Sequence, residues 1–490
     1  MTQLNTDLYF LLPEIFIGSI TIFLLIWSTF QITMHKINAE SILKNLITLV
    51  ITTTILGFIL MLNNLNITKT ICYENLVINN YTTNIKLLII LFTIFFLSLI
   101  KYSEKQNFPT DFESIILKML SLSAMLILTS ANDFVILYLS LELQSLCFYI
   151  LTASKKTSRF SLEGGLKYFI VGALSSSFLL FGISLIYGLT GSTNFSNLYQ
   201  LTIIIQNTPI LLKLGFILLL CSFLLKLTAV PFHIWSPDVY EGAPLSITIF
   251  FSTIPKIAIF SIFIRLIFSV FLQFHNLWHP IFVLSSILTI IFASFATLYQ
   301  KKLKRFLAYS SISHIGYMLM GLSTGTMLGL HSFFLYLLIY VTTIFCFFGL
   351  LILIKKNTNK NLIYLTDLLN PNTIHPLYKF TFILLLFSIA GIPPLWGFFI
   401  KFQIFLSLID LHSYILVALG ILTSTTSTYY YIRLIKIINF EKFINLNYKK
   451  YTLDSTIAIL IIFSGSLLIS LFLTTTNILL LPTHELSILL

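Results

Sequence analysis

Charge is scarce in this chain. Asp, Glu, Lys and Arg make up 9% of its 490 residues, against about a quarter in an ordinary globular domain. That excludes a chain wrapped in its own solvated surface. Cysteine is scarce too. Cys72, Cys147, Cys221 and Cys346 stand singly with no C-x-x-C spacing, so neither a disulfide framework nor a zinc or iron–sulfur site follows. Neither a G-x-G-x-x-G nor a G-x-x-x-x-G-K-[ST] run occurs, which removes the dinucleotide and nucleotide-triphosphate fingerprints. The start, MTQLNTDLYFLLPEIF, has no basic run and no small-residue cleavage site. It reads as a mature start leading directly into a first apolar segment.

What is present is apolar. Hydrophobic residues are 57% of the chain, the composition of a polytopic membrane protein. A spanning helix needs about 20 mainly apolar residues, and about 14 such segments are read here. Their centres lie near residues 20, 52, 93, 121, 142, 176, 220, 255, 289, 313, 340, 393, 423 and 468. The fold class expected is an all-α polytopic membrane protein. The short loops leave no room for a soluble catalytic domain. The net charge of +12 suggests a nucleic-acid binder only until the lysines are placed. They gather in alternate connections: Lys36; Lys101 and Lys105; Lys155, Lys156 and Arg159; Lys301, Lys302, Lys304 and Arg305; Lys355, Lys356 and Lys360; Lys436, Lys442, Lys449 and Lys450. The other connections hold almost none, Lys69 being the main exception. Excess Lys and Arg marks the cytoplasmic or matrix side, so both termini are expected on the opposite face. The connection at Ser236–Gly242 lies on the positive side yet carries Asp238 and Glu241, and reads as a functional turn.

Two segments are interrupted. In the seventh, Pro231 cannot donate to the carbonyl of Leu227, which opens a turn beside Lys226. In the twelfth, Ser388-Ile389-Ala390-Gly391-Ile392-Pro393-Pro394-Leu395-Trp396-Gly397 interrupts the helix before Lys401. Broken helices at membrane depth persist where they are buried in protein or line a wet cavity. Thr228-Ala229-Val230-Pro231 with Trp235 parallels Ala390-Gly391-Ile392-Pro393 with Trp396, five spans later. Five is odd, so a repeat of that length is inverted across the membrane, as in many transporters. The expected division is residues 1–107 (three spans), 108–270 (spans four to eight), 271–440 (spans nine to thirteen) and 441–490 (a last span).

Several charges sit where hydrocarbon penalises them by roughly 2.5–3.5 kcal/mol each on the mildest scale. They are Glu142, Lys226, Lys256 (beside Pro255) and Lys401. Glu142 paired with Lys226 could balance so that a modest change in field moves a proton, and a water-bridged series of such groups makes a proton wire. Each could instead hold helices together. Lys167 reads equally as a relay or as a lysine snorkelling to the interface. His314, in Ser310-Ser311-Ile312-Ser313-His314-Ile315-Gly316-Tyr317, and His233, after Pro231, can relay protons or simply pack. Arg265 and Lys118, nearer segment ends, read as interfacial anchors. Glu14 reads as a local cap or pair.

The chain resembles the antiporter-like membrane subunits of respiratory complex I. The motifs are EGGLKYFIVGALSSSFLLFG at Glu163–Gly182, LLKLTAVPFHIWSPDVYEGAP at Leu224–Pro244, AYSSISHIGYMLMG at Ala308–Gly321 and AGIPPLWGFFIKF at Ala390–Phe402. Relatives within that family often carry His where Lys256 stands, and one carries Glu where Lys401 stands. The resemblance implies two inverted half-channels, spans four to eight and nine to thirteen. Glu142 and Lys226 would be the coupled pair, Lys256 the central connection, Lys401 the gate of the second half, and Lys167 a further position on the hydrophilic axis. It implies no cofactor in this chain, with electron transfer from NADH to quinone occurring elsewhere in the complex. The implied partners are other membrane-arm subunits, including neighbouring antiporter-like ones, and membrane lipid, with no nucleic acid. A free-standing cation/proton antiporter and a non-conducting structural subunit stay open as alternatives. The AT-rich bias, 47 Phe against 19 Gly, favours the mitochondrial inner membrane over a bacterial plasma membrane.

Overall fold

The computed structural model describes residues 2–35, 39–103, 111–155, 157–204, 209–358, 362–368, 376–393 and 395–439. The last expected span, near residue 468, and Pro394 lie outside the described residues. Among the described residues seventeen α-helices form in chain order: α1 (Thr2–Phe10), α2 (Leu12–His35), α3 (Ala39–Leu62), α4 (Asn80–Ser103), α5 (Asp111–Ser130), α6 (Phe134–Thr152), α7 (Arg159–Thr190), α8 (Phe195–Ile204), α9 (Ile210–Leu227), α10 (Trp235–Gly242), α11 (Leu245–Arg265), α12 (His275–Tyr299), α13 (Leu303–Ser323), α14 (Met327–Thr358), α15 (Pro376–Ala390), α16 (Trp396–Asp410) and α17 (Tyr414–Asn439).

Eleven helical stretches among the described residues are long and apolar enough to cross a membrane. Two expected spans fall outside that set for chemical reasons. The first is α13, whose centre carries SSISH. The second is the segment around residue 393, which is two 15-residue helices, α15 and α16, separated by a break. One departure from an all-helical chain is a small antiparallel hairpin, β1 (Lys69–Ile71) with β2 (Leu76–Ile78), in register Lys69↔Ile78 and Ile71↔Leu76. It joins α3 to α4.

Helix is the economical answer for these segments because each N–H is satisfied within the segment and hydrocarbon offers no alternative partner. Hydroxyls fold back onto the preceding turn, as Ser222 does to Leu219 (2.7 Å) and Ser310 to Leu307 (2.8 Å). Helix starts are marked where polar caps stand. Asp133 accepts from Val135 N at 2.6 Å to open α6, and Ser158 accepts from Ser161 N at 3.3 Å to open α7.

The described chain forms two compact units. The first holds α1 to α9 and α11. Within it α7 and α9 pack along small residues. A Cβ on Gly182 would come within 2.8 Å of the Gly215 carbonyl oxygen, and one on Gly215 within 3.1 Å of the Gly182 carbonyl oxygen. Such small-residue contacts let helix backbones approach where no hydrophobic effect pulls them together. The core helix of this unit is α11, whose membrane-length stretch is wholly buried. The second unit holds residues 228–241, with α10, and then α12 to α17. Helix order recurs along the chain. The third helix of the series beginning at α5 is α7, and the third of the series beginning at α12 is α14. Both run for 32 residues. With the short α8 set aside, the member after each is broken, α9/α10 in one case and α15/α16 in the other.

Candidate proton path

Both breaks start the same way. α9 ends at Leu227 and Thr228 turns left-handed (φ 64); α15 ends at Ala390 and Gly391 turns left-handed (φ 86). Aligned by helix ends, Thr228 corresponds to Gly391 and Pro231 to Pro394, one residue on from the sequence parallel drawn through Pro393. A left-handed residue after the last turn is a common helix stop. At Thr228 a β-branched residue holds that conformation.

In the second unit the break is fastened by a lysine. Lys401, on α16 and 5% exposed, donates from Nζ to the Ala390 carbonyl oxygen at 3.0 Å. That carbonyl is one of the groups left without an intrahelical partner where α15 stops. The same ammonium lies over the Tyr317 ring, 5.0 Å from its centroid. Gly391 gives the room: a Cβ there would meet Lys401 Nζ at 3.1 Å.

Lys401 also lines a small cavity of about 20 Å³ with His314, Tyr336, Tyr340, Thr343 and Ser388. The volume suits about one water molecule, and the lining supplies the polar partners such a water needs. His314, on α13, is buried. Its Nδ1 is 2.8 Å from the Tyr336 hydroxyl and its Nε2 is 3.3 Å from the Tyr431 hydroxyl. Tyr336 lies on α14 and Tyr431 on α17, so one imidazole joins hydroxyls from two other helices. Tyr317 adds a link to α17, with its hydroxyl 3.1 Å from Thr423 Oγ1. The tyrosines were not singled out in the sequence. Their signal was present as buried-type aromatics on polar-studded helices, but 47 Phe and 23 Tyr conceal which ones matter.

In the first unit Glu142, on α6, lies within electrostatic reach of Lys226, the penultimate residue of α9. Ser145 Oγ donates to the Glu142 carbonyl oxygen (2.9 Å) and contacts Oε2 (3.1 Å), while buried Oε1 has no hydrogen-bond partner among the described residues. Lys256 is 6% exposed on α11, next to Pro255, whose missing N–H removes the usual helical donor to the Phe251 carbonyl. Lys167, on α7, forms an exposed i,i+4 pair with Glu163 at 2.7 Å. His233 sits in the break, packed on Phe292 with ring centroids 4.3 Å apart. Pro231 and Pro393 are exposed.

Three expectations are corrected. Residues 235–242 form the helix α10, and its acids are neutralised within their own unit: Glu241 pairs with Lys302 and Arg305, and Asp238 with Arg305 at 2.7 Å. The acidic exception on the positive face is thus the counter-charge of the basic run that opens α13. Arg265 and Lys118, expected as anchors near segment ends, do not lie on the surface of the unit. Both are buried, Arg265 among polar groups and Lys118 with its ammonium over the Phe96 ring. Glu14 is not a local cap. It forms a buried pair with Lys86 at 2.5 Å, joining α2 to α4 across 72 positions. Lys86 is hidden in the sequence because an apolar window dilutes one charge near the start of a span.

Residues 131–427 match the family described as NADH:quinone oxidoreductase/Mrp antiporter, TM. The chain belongs to that family. Among its relatives, NADH-ubiquinone oxidoreductase chain 2 of Marchantia polymorpha is 39% identical over 443 residues, 89% of each chain. NADH-quinone oxidoreductase subunit N of Pelagibacter ubique (strain HTCC1062) is 38% identical over 89% of this chain and 90% of the relative. Among solved structures, a chain of respiratory complex I from Thermus thermophilus with bound aureothin superposes with a TM-score of 0.75 at 25% identity. The match covers 95% of this chain and 98% of that one. The match to the NADH:quinone oxidoreductase/Mrp antiporter family spans both breaks and all of Glu142, Lys167, Lys226, Lys256, His314 and Lys401.

Proposed function

We propose that the chain is a proton-translocating antiporter-like membrane subunit of respiratory complex I. Electron transfer from NADH to quinone takes place in other subunits, and proton movement through this one is coupled to it. Neighbouring membrane-arm subunits and lipid are its partners, and the two five-helix series are inverted half-channels. The AT-rich composition favours the mitochondrial inner membrane, with both termini on the face opposite the matrix.

The observation that carries the reading is Lys401 at the second break. Its ammonium closes the open Ala390 carbonyl and faces a water-sized cavity shared with His314. A protonated Lys401 satisfies that carbonyl. Releasing its proton toward the cavity weakens the bond and frees the break to move. The Tyr336–His314–Tyr431 chain then offers the proton a hydrogen-bonded route. In the first half, Glu142 lies within electrostatic reach of Lys226 beside the other break. Loss of Glu142 charge favours release from the lysine, because an opposite charge nearby stabilises the ammonium. Lys256, buried on the core helix α11, is assigned the connection between the halves.

Purification at native stoichiometry tests the assembly. The chain is expected in a multisubunit NADH-oxidising complex. A lone 56.0 kDa species that exchanges cations for protons would contradict the reading.

A further inference from the structure

Arg265 takes no part in the path above, yet it is a charge only 4% exposed in the first unit. An arginine does not escape burial by losing its proton. A buried charge is expensive unless it is paired. Arg265 forms no ion pair among the described residues. Nη1 donates to the Ala131 carbonyl oxygen at 3.1 Å and Nη2 to Asn132 Oδ1 at 2.8 Å. The guanidinium has five donors, and the others carry no hydrogen bond among the described residues.

The side chain lines a cavity of about 690 Å³ within the same unit. That volume is in the range of small-molecule sites, about 300–1,000 Å³. The hairpin supplies Thr68, Lys69, Thr70 and Glu74; Asn79 and Asn132 supply amides; and α8 supplies Ser196 and Tyr199. These walls are fixed. Asn132 N donates to the Asn75 carbonyl oxygen at 2.9 Å, and Asn132 Nδ2 to the Glu74 carbonyl oxygen at 2.8 Å. Lys69 extends over the Phe10 ring, 4.8 Å from its centroid. The cavity sits where α4 begins and α11 ends. The outer residues of α8, Ile203 and Ile204, are exposed and apolar, a surface suited to acyl chains.

We propose that this cavity binds a phosphate anion, supplied by the headgroup of an anionic phospholipid, with Arg265 at its floor and Lys69 at its rim. The anion gives the buried guanidinium its missing counter-charge through charge-assisted bonds. Glu74 at the rim opposes it, so the occupant is monoanionic in preference to dianionic.

The test uses the full chain in its native assembly, delipidated and titrated with photoactivatable phosphatidylglycerol or phosphatidylcholine. Saturable cross-links to peptides 68–79 and 195–199 are expected with phosphatidylglycerol. Lys69→Gln or Arg265→Gln should weaken them about tenfold, the worth of one charged hydrogen bond. Glu74→Gln should strengthen them, and that variant keeps the proposal testable if Arg265→Gln does not fold. Inorganic phosphate alone, read by thermal unfolding, separates the sources. Saturable stabilisation that Lys69→Gln removes, together with loss of the lipid cross-links, supports the phosphate site with a free ion as its occupant. No saturable binding of either probe overturns the proposal. So does a Glu74→Gln variant that is destabilised and gains no lipid, since Glu74 would then be the counter-charge of Arg265.

Discussion

At the scale of single residues, the two breaks share a backbone trick but not a residue type. Gly391 takes its left-handed turn freely, whereas Thr228 takes the same turn with a branched side chain. For an L-residue that conformation costs about 1–2 kcal/mol. Thr228→Gly is therefore expected to raise thermal stability by about 1 kcal/mol, and Gly391→Ala to lower it by at least as much. Gly391→Ala should also impair pumping, because the added Cβ meets Lys401 Nζ. Equal melting temperatures for the two variants would sink this comparison. At His314 the shorter contact should matter more. Tyr336→Phe removes the 2.8 Å partner and Tyr431→Phe the 3.3 Å one. Each loss is of the order of 1 kcal/mol or more for a buried group. Proton-pumping rates should fall further for Tyr336→Phe than for Tyr431→Phe. A larger effect at Tyr431 would mean that the chain runs the other way through the imidazole, or not through it.

At the scale of elements, α10 is tied to the start of α13 by an ion-pair network. Lys302, Arg305 and the Lys304 ammonium, 3.4 Å from the Glu241 carbonyl oxygen, converge on its C-terminal end, and Asp238 adds a second pair. These side chains are partly exposed, so each pair is worth about 0.2–1 kcal/mol. The network holds the far side of the first break in register with the helix that carries His314. Glu241→Gln should therefore lower activity at low salt and flatten its salt dependence while leaving assembly intact. Removing both acids, with Asp238→Asn and Glu241→Gln together, should cost more activity than either change alone. Unchanged activity in that double variant would show that α10 is not positioned by charge. Sequence reading saw these acids as a functional turn because it knew their side of the membrane but not their partners 61 to 67 positions away. The same blindness hid the Glu14–Lys86 pair and misplaced Arg265. Hydropathy locates spans along one dimension, whereas burial of a charge depends on which helices close over it. Arg265 stands at the end of an apolar run, and the α5–α6 connection, through Ala131 and Asn132, together with the hairpin and α8, turns that end into an interior.

At the scale of the molecule, apolar periodicity and alternating lysines were enough to place thirteen helical segments, including both breaks, because hydrocarbon leaves so few alternatives. The central acid and lysines were legible for the same reason, since each stood out against an apolar background. The aromatic hydroxyls around His314 were not, since a tyrosine at a lipid boundary and one in a proton chain look alike in sequence. The central claim is that Lys226 and Lys401 change protonation state during turnover. It is tested most directly by the proton-to-electron stoichiometry of assembled complexes carrying Lys226→Ala or Lys401→Ala. The account predicts complexes that assemble, oxidise NADH more slowly and move fewer protons per electron. A normal stoichiometry in both variants would contradict it, and would leave the buried lysines as fastenings between helices.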